Sequence, residues 1–184
     1  MGWDDSSYLI NLIDEISLKY TVDQDRIFIA GHSNGGFMAH RMACDHADRI
    51  AGIVAVAGLN YKAIENCKPS EAVNILQIHG TGDLRIPYNG GELVGVEMPS
   101  ALETVTDWMK LNKCTANSLT DGTAFDIETS LAGAETTPKV ATCPDNVSVE
   151  LWSIAGGLHT PTLAHVTFAA KVFDWIDDNP KVRS

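Results

Sequence analysis

The chain has 184 residues, a usual size for one domain, and 45% of them are hydrophobic, enough for a core. Its formal net charge of −11 gives a surface that repels phosphate backbones and anionic lipid, so neither nucleic acid nor membrane is expected as a partner. No run of about 18 apolar residues is present to span a bilayer, and the opening MGWDDSSYLI is acidic where a secretory leader is basic.

Residues 7–20 place Leu9, Ile10, Leu12, Ile13, Ile16 and Leu18 at helical spacing, with Asp4, Asp5 and Ser6 where caps and first-turn acids belong. Residues 26–31, RIFIAG, read as a short buried strand, and 35–47 as a helix with Phe37, Met38, Met42 and Ala43 facing inward. Strands follow at 51–58 and 74–80. An amphipathic helix is expected over 99–112, with Leu102, Val105, Trp108 and Met109 inward. A fourth strand is expected at 148–154. The last helix, over 162–177, carries Leu163, Val166, Phe168, Val172, Phe173 and Ile176. Apolar strands alternating with helices imply an α/β fold with a mainly parallel sheet covered on both faces. One domain over 1–184 is expected, with an irregular excursion around 114–147.

The four cysteines allow two disulfides in an oxidising compartment, with three possible pairings. Cys114 and Cys143 bracket the polar excursion and are paired here, which leaves Cys44 with Cys67; the alternative is four buried thiols in a reducing compartment. Asn146-Val147-Ser148 is a glycosylation sequon.

Gly31-His32-Ser33-Asn34-Gly35 fits G-x-S-x-G and lies between a predicted strand and a predicted helix, the setting of a nucleophile elbow. A strained serine there needs small neighbours, which Gly31, Gly35 and Gly36 supply. The helix N-terminus would point amides at a reacting oxygen, the N–H of Asn34 first among them. A serine needs a base, and the base an orienting acid. In this architecture they follow in the order serine, acid, histidine, each past a strand end. Asp83 comes after the third strand in HGTGDLRIPYNGG, and His159 after the fourth in AGGLHTP. Other candidates are weaker. His32 is expected to shape the pocket, His79 to satisfy loop carbonyls, and His40, His46 and His165 to be surface or packed residues. Asp23 and Asp25 read as turn residues, and Asp121 and Asp126 as poorer acids than Asp83. No histidine–carboxylate spacing suggests a metal, and no cofactor is called for.

GHSNGGFMAHRMACD, IHGTGDLRIPYNGG and the GG-x-H loop together resemble the polyhydroxybutyrate depolymerase and feruloyl esterase family of α/β-hydrolases, over essentially the whole chain. The resemblance implies an esterase with Ser33 as nucleophile, Asp83 as acid and His159 as base. It also implies secreted or periplasmic residence and small aryl, feruloylated, acetylated or polymeric ester substrates. Tyr88 and Asn89 match the family's P-Y-x-G-G stretch near the site, which makes Tyr88 a pocket candidate beside His32 and Leu158. Leu158 stands where the family often has another glycine, and Thr160-Pro161-Thr162 follow the histidine where a tryptophan is common, so the substrate wall differs. Before Gly31 only a helix is expected, without the strands of the whole fold and without the H-G stretch that brings a second oxyanion donor. The chain is therefore expected to be either a piece of a longer product or a shortened enzyme. Its nucleophile strand would lie at a sheet edge open to pairing with a second copy. The alternative function is a catalytically weak remnant that acts as a binding module.

Overall fold

The computed structural model describes residues 4–181, and the elements follow the expected alternation. Helix α1 (Asp5–Lys19) starts on Asp4, whose carboxylate accepts the Ser7 N–H. Strand β1 (Phe28–His32) leads into α2 (Asn34–Asp45), and β2 (Gly52–Val56) and β3 (Asn74–Gly80) follow. A small hairpin, β4 (Gly91–Leu93) and β5 (Val96–Met98), precedes α3 (Ala101–Leu111), which opens on a Ser100/Glu103 capping box. Then come β6 (Thr120–Asp121), β7 (Thr136–Val140), β8 (Val149–Ile154) and α4 (His165–Asp178).

The main sheet has six strands in the order β1-β2-β3-β8-β7-β6. The first four run parallel and the last two antiparallel. Neighbouring sheet residues face opposite ways. Ile53, Ile75 and Leu151 join one apolar cluster with Met42 of α2 and Trp108 of α3; Val54, Leu76 and Trp152 join another with Val172 and Trp175 of α4. Helices thus cover both faces, and β2 and β3 are buried along their whole length, as parallel strands between helix layers must be. No helix among the described residues is long and apolar enough to cross a membrane.

One expectation needs correction: Leu102, expected inward, is 45% exposed. Of the apolar residues carried by the last helix, Val166 and Phe173 are 78% and 63% exposed. The buried stripe of α3 runs through Ala101, Thr104, Val105, Trp108 and Met109, so Leu102 falls off its edge. On α4 the packed positions are Phe168, Val172, Trp175 and Ile176. On α1 only Ser6 and Ile10 are buried, and Leu18 is 89% exposed.

The excursion holds more order than expected. Strand β7 pairs with β8 along its full length, Thr136 opposite Ile154 and Val140 opposite Glu150. Its sequence TTPKV hides a strand because proline removes a ladder donor; the Pro138 carbonyl still accepts the Gly122 N–H (2.8 Å). Disulfides join Cys114 to Cys143 and Cys44 to Cys67, the pairing read from the sequence.

Candidate active site

The carboxyl ends of β1, β3 and β8 place Ser33, Asp83 and His159 next to one another. Ser33 caps α2 with φ 54° and ψ −117°, a left-handed region where a non-glycine residue is strained. Its N–H donates to the Val56 carbonyl at 2.8 Å, which ties the turn to the end of β2. The tightness expected around the elbow is present, but not at every glycine. A Cβ on Gly31 would overlap the Gly35 carbonyl, and one on Gly36 would lie 3.0 Å from Gly58 and the Val56 oxygen, whereas one on Gly35 would meet nothing within 4 Å. Gly35 is small without need; its backbone is what Gly31 must clear.

The loops that carry Asp83 and His159 cross with the same closeness. A Cβ on Gly80 would overlap the Gly157 carbonyl. Three bonds hold the crossing: Thr81 N–H to the Ile154 oxygen (2.9 Å), Gly82 N–H to the Gly157 oxygen (2.9 Å), and Gly156 N–H to Thr81 Oγ1 (2.8 Å). Asp83, 4% exposed, accepts the N–H groups of Arg85 (2.8 Å) and Ile86 (2.9 Å) on Oδ1, leaving Oδ2 for His159 Nδ1 at 2.8 Å. Burial pushes this carboxyl up, but the bonds from His159, Ile86 and Arg85 outweigh it and hold it below the usual carboxylate range. A carboxylate only accepts, so Nδ1 of His159 carries a proton, and in the neutral ring Nε2 then bears the lone pair. That lone pair lies 2.9 Å from Ser33 Oγ. Such a line can draw the hydroxyl proton as the oxygen attacks an electrophile and can stabilise the imidazolium that forms.

His32 is exposed, and its Nε2–H donates to the His159 carbonyl at 2.7 Å, so it braces the histidine loop from β1. Asn34 is the first residue of α2, where a helix N–H has no intrahelical partner. Leu158 stands 63% exposed beside His159. Tyr88 is half-buried: its hydroxyl lies 2.6 Å from Ser153 Oγ, and its ring meets His79 edge to face at 5.8 Å. A cavity of about 480 Å³ reaches Asn34 and is walled by Phe37, Met38, Leu59, Tyr61 and Met98. An apolar cavity of about 370 Å³ lies beside His32, between Pro161, Leu163, Phe168 and Val172.

His40 and His79 are buried, and His46 meets Ser6 Oγ at 2.7 Å. Asp121 forms an ion pair with Lys139 across β6 and β7, away from the strand ends that carry Ser33 and His159. Sequence reasoning missed the supports of the site. Glu128, 2% exposed, accepts the Thr162 N–H (2.6 Å) just past His159, and Glu135 holds the Ile127 and Glu128 N–H groups at 3.0 Å. In the sequence these two acids look like any others in a polar, threonine-rich stretch, and their burial shows only in the fold.

The profile of the phospholipase/carboxylesterase family matches residues 4–122. Feruloyl esterase B of Piromyces equi is 32% identical over 164 residues, 85% of this chain and 29% of that protein. A probable feruloyl esterase C of Aspergillus clavatus is 30% identical over 91 residues, 49% of this chain and 32% of that one. The chain thus spans about a third or less of the length of these relatives. Among solved structures, an acetyl xylan esterase from Aspergillus awamori superimposes with a TM-score of 0.60 at 14% identity, over 94% of this chain and 67% of that one, a likeness of fold. With a family profile matched over more than half its length, a mainly parallel sheet between helix layers and an elbow after β1, the chain belongs to the phospholipase/carboxylesterase family of α/β-hydrolases.

Proposed function

We propose that the chain hydrolyses carboxylic esters through an acyl-enzyme on Ser33. The observation that carries the reading is the unbroken line from Asp83 Oδ2 to His159 to Ser33 Oγ, with bonds of 2.8 and 2.9 Å ending on a serine held at positive φ. Ser33 Oγ attacks the ester carbonyl carbon while His159 Nε2 takes its proton, and Asp83 stabilises the resulting imidazolium. The oxyanion is met by the Asn34 N–H at the α2 N-terminus. The imidazolium then protonates the departing alcohol, and water, activated by the same nitrogen, releases the acid.

Small aryl or short-chain esters, feruloyl-type esters and polyesters are the substrate classes to test; relatives named as feruloyl and acetylxylan esterases support the ester bond as the target. Two disulfides favour an oxidising compartment, secreted or periplasmic. In the described sheet β1 has a strand on one side only, which supports pairing with a second copy along that edge; a monomer in sedimentation at micromolar concentration would exclude it.

The deciding experiment is a hydrolysis screen on p-nitrophenyl esters of increasing acyl length, run beside methyl ferulate and a polyester film. Ser33→Ala should lower the rate by at least about 10⁴-fold, and an unchanged rate refutes the assignment. A phosphonate probe separates this reading from a binding module: stoichiometric labelling of Ser33 supports the enzyme, whereas an inert Ser33 supports the module.

A further inference from the structure

Behind the acid lies a buried chain of hydrogen bonds whose every direction is fixed. Trp108 of α3 is wholly buried, and its Nε1–H can only donate; it reaches His40 Nδ1 at 3.0 Å. That nitrogen must accept, so the neutral ring carries its proton on Nε2 and donates to Gln77 Oε1 at 2.8 Å. With its oxygen occupied, Gln77 donates from Nε2 to the Gly58 carbonyl (2.9 Å) and to His79 Nδ1 (3.2 Å). His79 therefore carries its proton on Nε2, which donates to the Ile86 carbonyl at 2.9 Å and stands 3.4 Å from Asp83 Oδ2. The two ends agree independently. Carbonyl oxygens only accept, so Gly58 and Ile86 demand the same orientation that Trp108 dictates from the other side.

We infer that His79 is a positioning residue for Asp83 and that Trp108, His40 and Gln77 lock its tautomer, an inference that rests on the triad reading above. Ile86 is held twice: its oxygen by His79, and its N–H by Asp83 Oδ1 at 2.9 Å. The acid's turn is thereby tied back to the end of β3. The His79 N–H also faces the oxygen that receives His159, so it presents positive charge to Oδ2 and steers it. In the other tautomer a lone pair would face both Ile86 O and Oδ2, and repulsion would turn the carboxylate away from His159. Burial holds the His40 imidazole down to about 4 and lowers that of His79, so both rings stay neutral and the lock keeps its proton count near pH 7.

His79 touches no substrate, so His79→Leu should lower kcat about 10-fold, the loss expected for one bond to a charged group, with KM unchanged. His79→Gln should recover most of that loss, because a glutamine Nε2 can donate where the imidazole Nε2 did. In protein labelled with ¹⁵N-histidine, both His40 and His79 should show the Nε2–H tautomer at pH 7. The inference is overturned if His79→Leu leaves kcat within about twofold, if His79→Gln is as slow as His79→Leu, or if either ring carries its proton on Nδ1. Should His79→Leu fail to fold, the tautomers and His79→Gln decide. Ser33→Ala in the same assay separates the two failures: if it stays active the triad reading falls, and if it is dead while His79→Leu is fast, only this inference falls.

Discussion

The turns that carry Ser33 and His159 are held by two different kinds of contact. On the strand-end side, backbone touches backbone through glycine: Gly31 against Gly35, Gly36 against Gly58, Gly80 against Gly157. On the excursion side, side-chain carboxylates do the holding: Glu128 grips Thr162 and Ser130, and Glu135 gathers the Ile127 and Glu128 amides and the Thr136 hydroxyl. A glycine contact has no slack, because backbone cannot yield to an added methyl. A carboxylate clamp is graded, since each bond can weaken without moving the rest. The first kind sets where Ser33, Asp83 and His159 lie, and the second sets how firmly the loop after them is kept.

The largest effect on rate should come from testing the glycine contacts against each other. Gly31→Ala would drive a Cβ into the Gly35 carbonyl. Overpacking of this sort costs about 1–3 kcal/mol, and displacing a nucleophile by about 1 Å costs about 10²-fold in rate. Gly35→Ala points into open space and should stay within about twofold in rate. Ester hydrolysis and thermal melting of both variants decide the matter; equal losses would mean that the elbow tolerates or rejects bulk for some other reason.

Next is the excursion's tether. The Cys114–Cys143 bridge closes a separation of 29 residues. Replacing both cysteines by serine should lower stability by about 3–4 kcal/mol through the freer unfolded chain. Urea unfolding measures this. The folded fraction should keep its Ser33 reactivity, because the glycine contacts are untouched.

That division also explains what the sequence made legible. Ser33, Asp83 and His159 could be placed because each follows an apolar strand, and glycines mark the tight crossings around them. The 74–80 strand was legible because Ile75, Leu76 and Ile78 form an apolar centre that ends on Gly80, although Asn74, Gln77 and His79 are buried with them. Strand β7 was missed because its TTPKV has neither apolar alternation nor a free ladder donor at Pro138. The clamp was missed for a different reason: Glu128 and Glu135 look like surface acids until the amides they gather come together in three dimensions. Leu102 shows the opposite error: it is apolar and was expected inward, yet it lies off the buried stripe of α3 and is 45% exposed.

A third test asks whether the buried histidines make the core acid-sensitive. The unfolded chain protonates His40 near its ordinary value of 6.5, whereas the folded chain does so only at about 4, because burial disfavours the charge. Between these values the unfolded state holds more protons, so stability falls as pH drops from about 6.5 to about 4, by about 3 kcal/mol for His40. Above pH 6.5 His40 adds no slope. His79 is shifted the same way, also by burial first. Asp83 is held low by its donors, so its contribution too is lost on acidification, below the usual carboxylate range. Melting curves from pH 7 to 4 should slope throughout the acid half; a flat profile would remove the buried histidines from the balance.

The smallest effect expected is at the clamp itself. Glu128 uses both oxygens, Oε2 for the Thr162 N–H at 2.6 Å and Oε1 for the Ser130 N–H and hydroxyl at 3.0 and 2.8 Å. Glu128→Gln keeps the shape but turns one oxygen into an NH₂ that must face a donor. Thr162 or Ser130 then loses its acceptor inside a site that is 2% exposed, a cost of about 2 kcal/mol for a bond to a charged group. Thr162 lies just past His159 and next to Pro161 and Leu163, which wall the smaller cavity. Loosening it should act on that wall before it acts on the Asp83–His159–Ser33 line, which β3, β8 and the elbow hold without it. The expected signature is a melting point lowered in proportion, a raised KM for the ester that fills that cavity, and a phosphonate labelling rate at Ser33 within about threefold of the parent. A fall in labelling as large as that of Gly31→Ala would instead place the clamp among the contacts that set the reacting atoms, and the contrast between rigid and graded support would be lost.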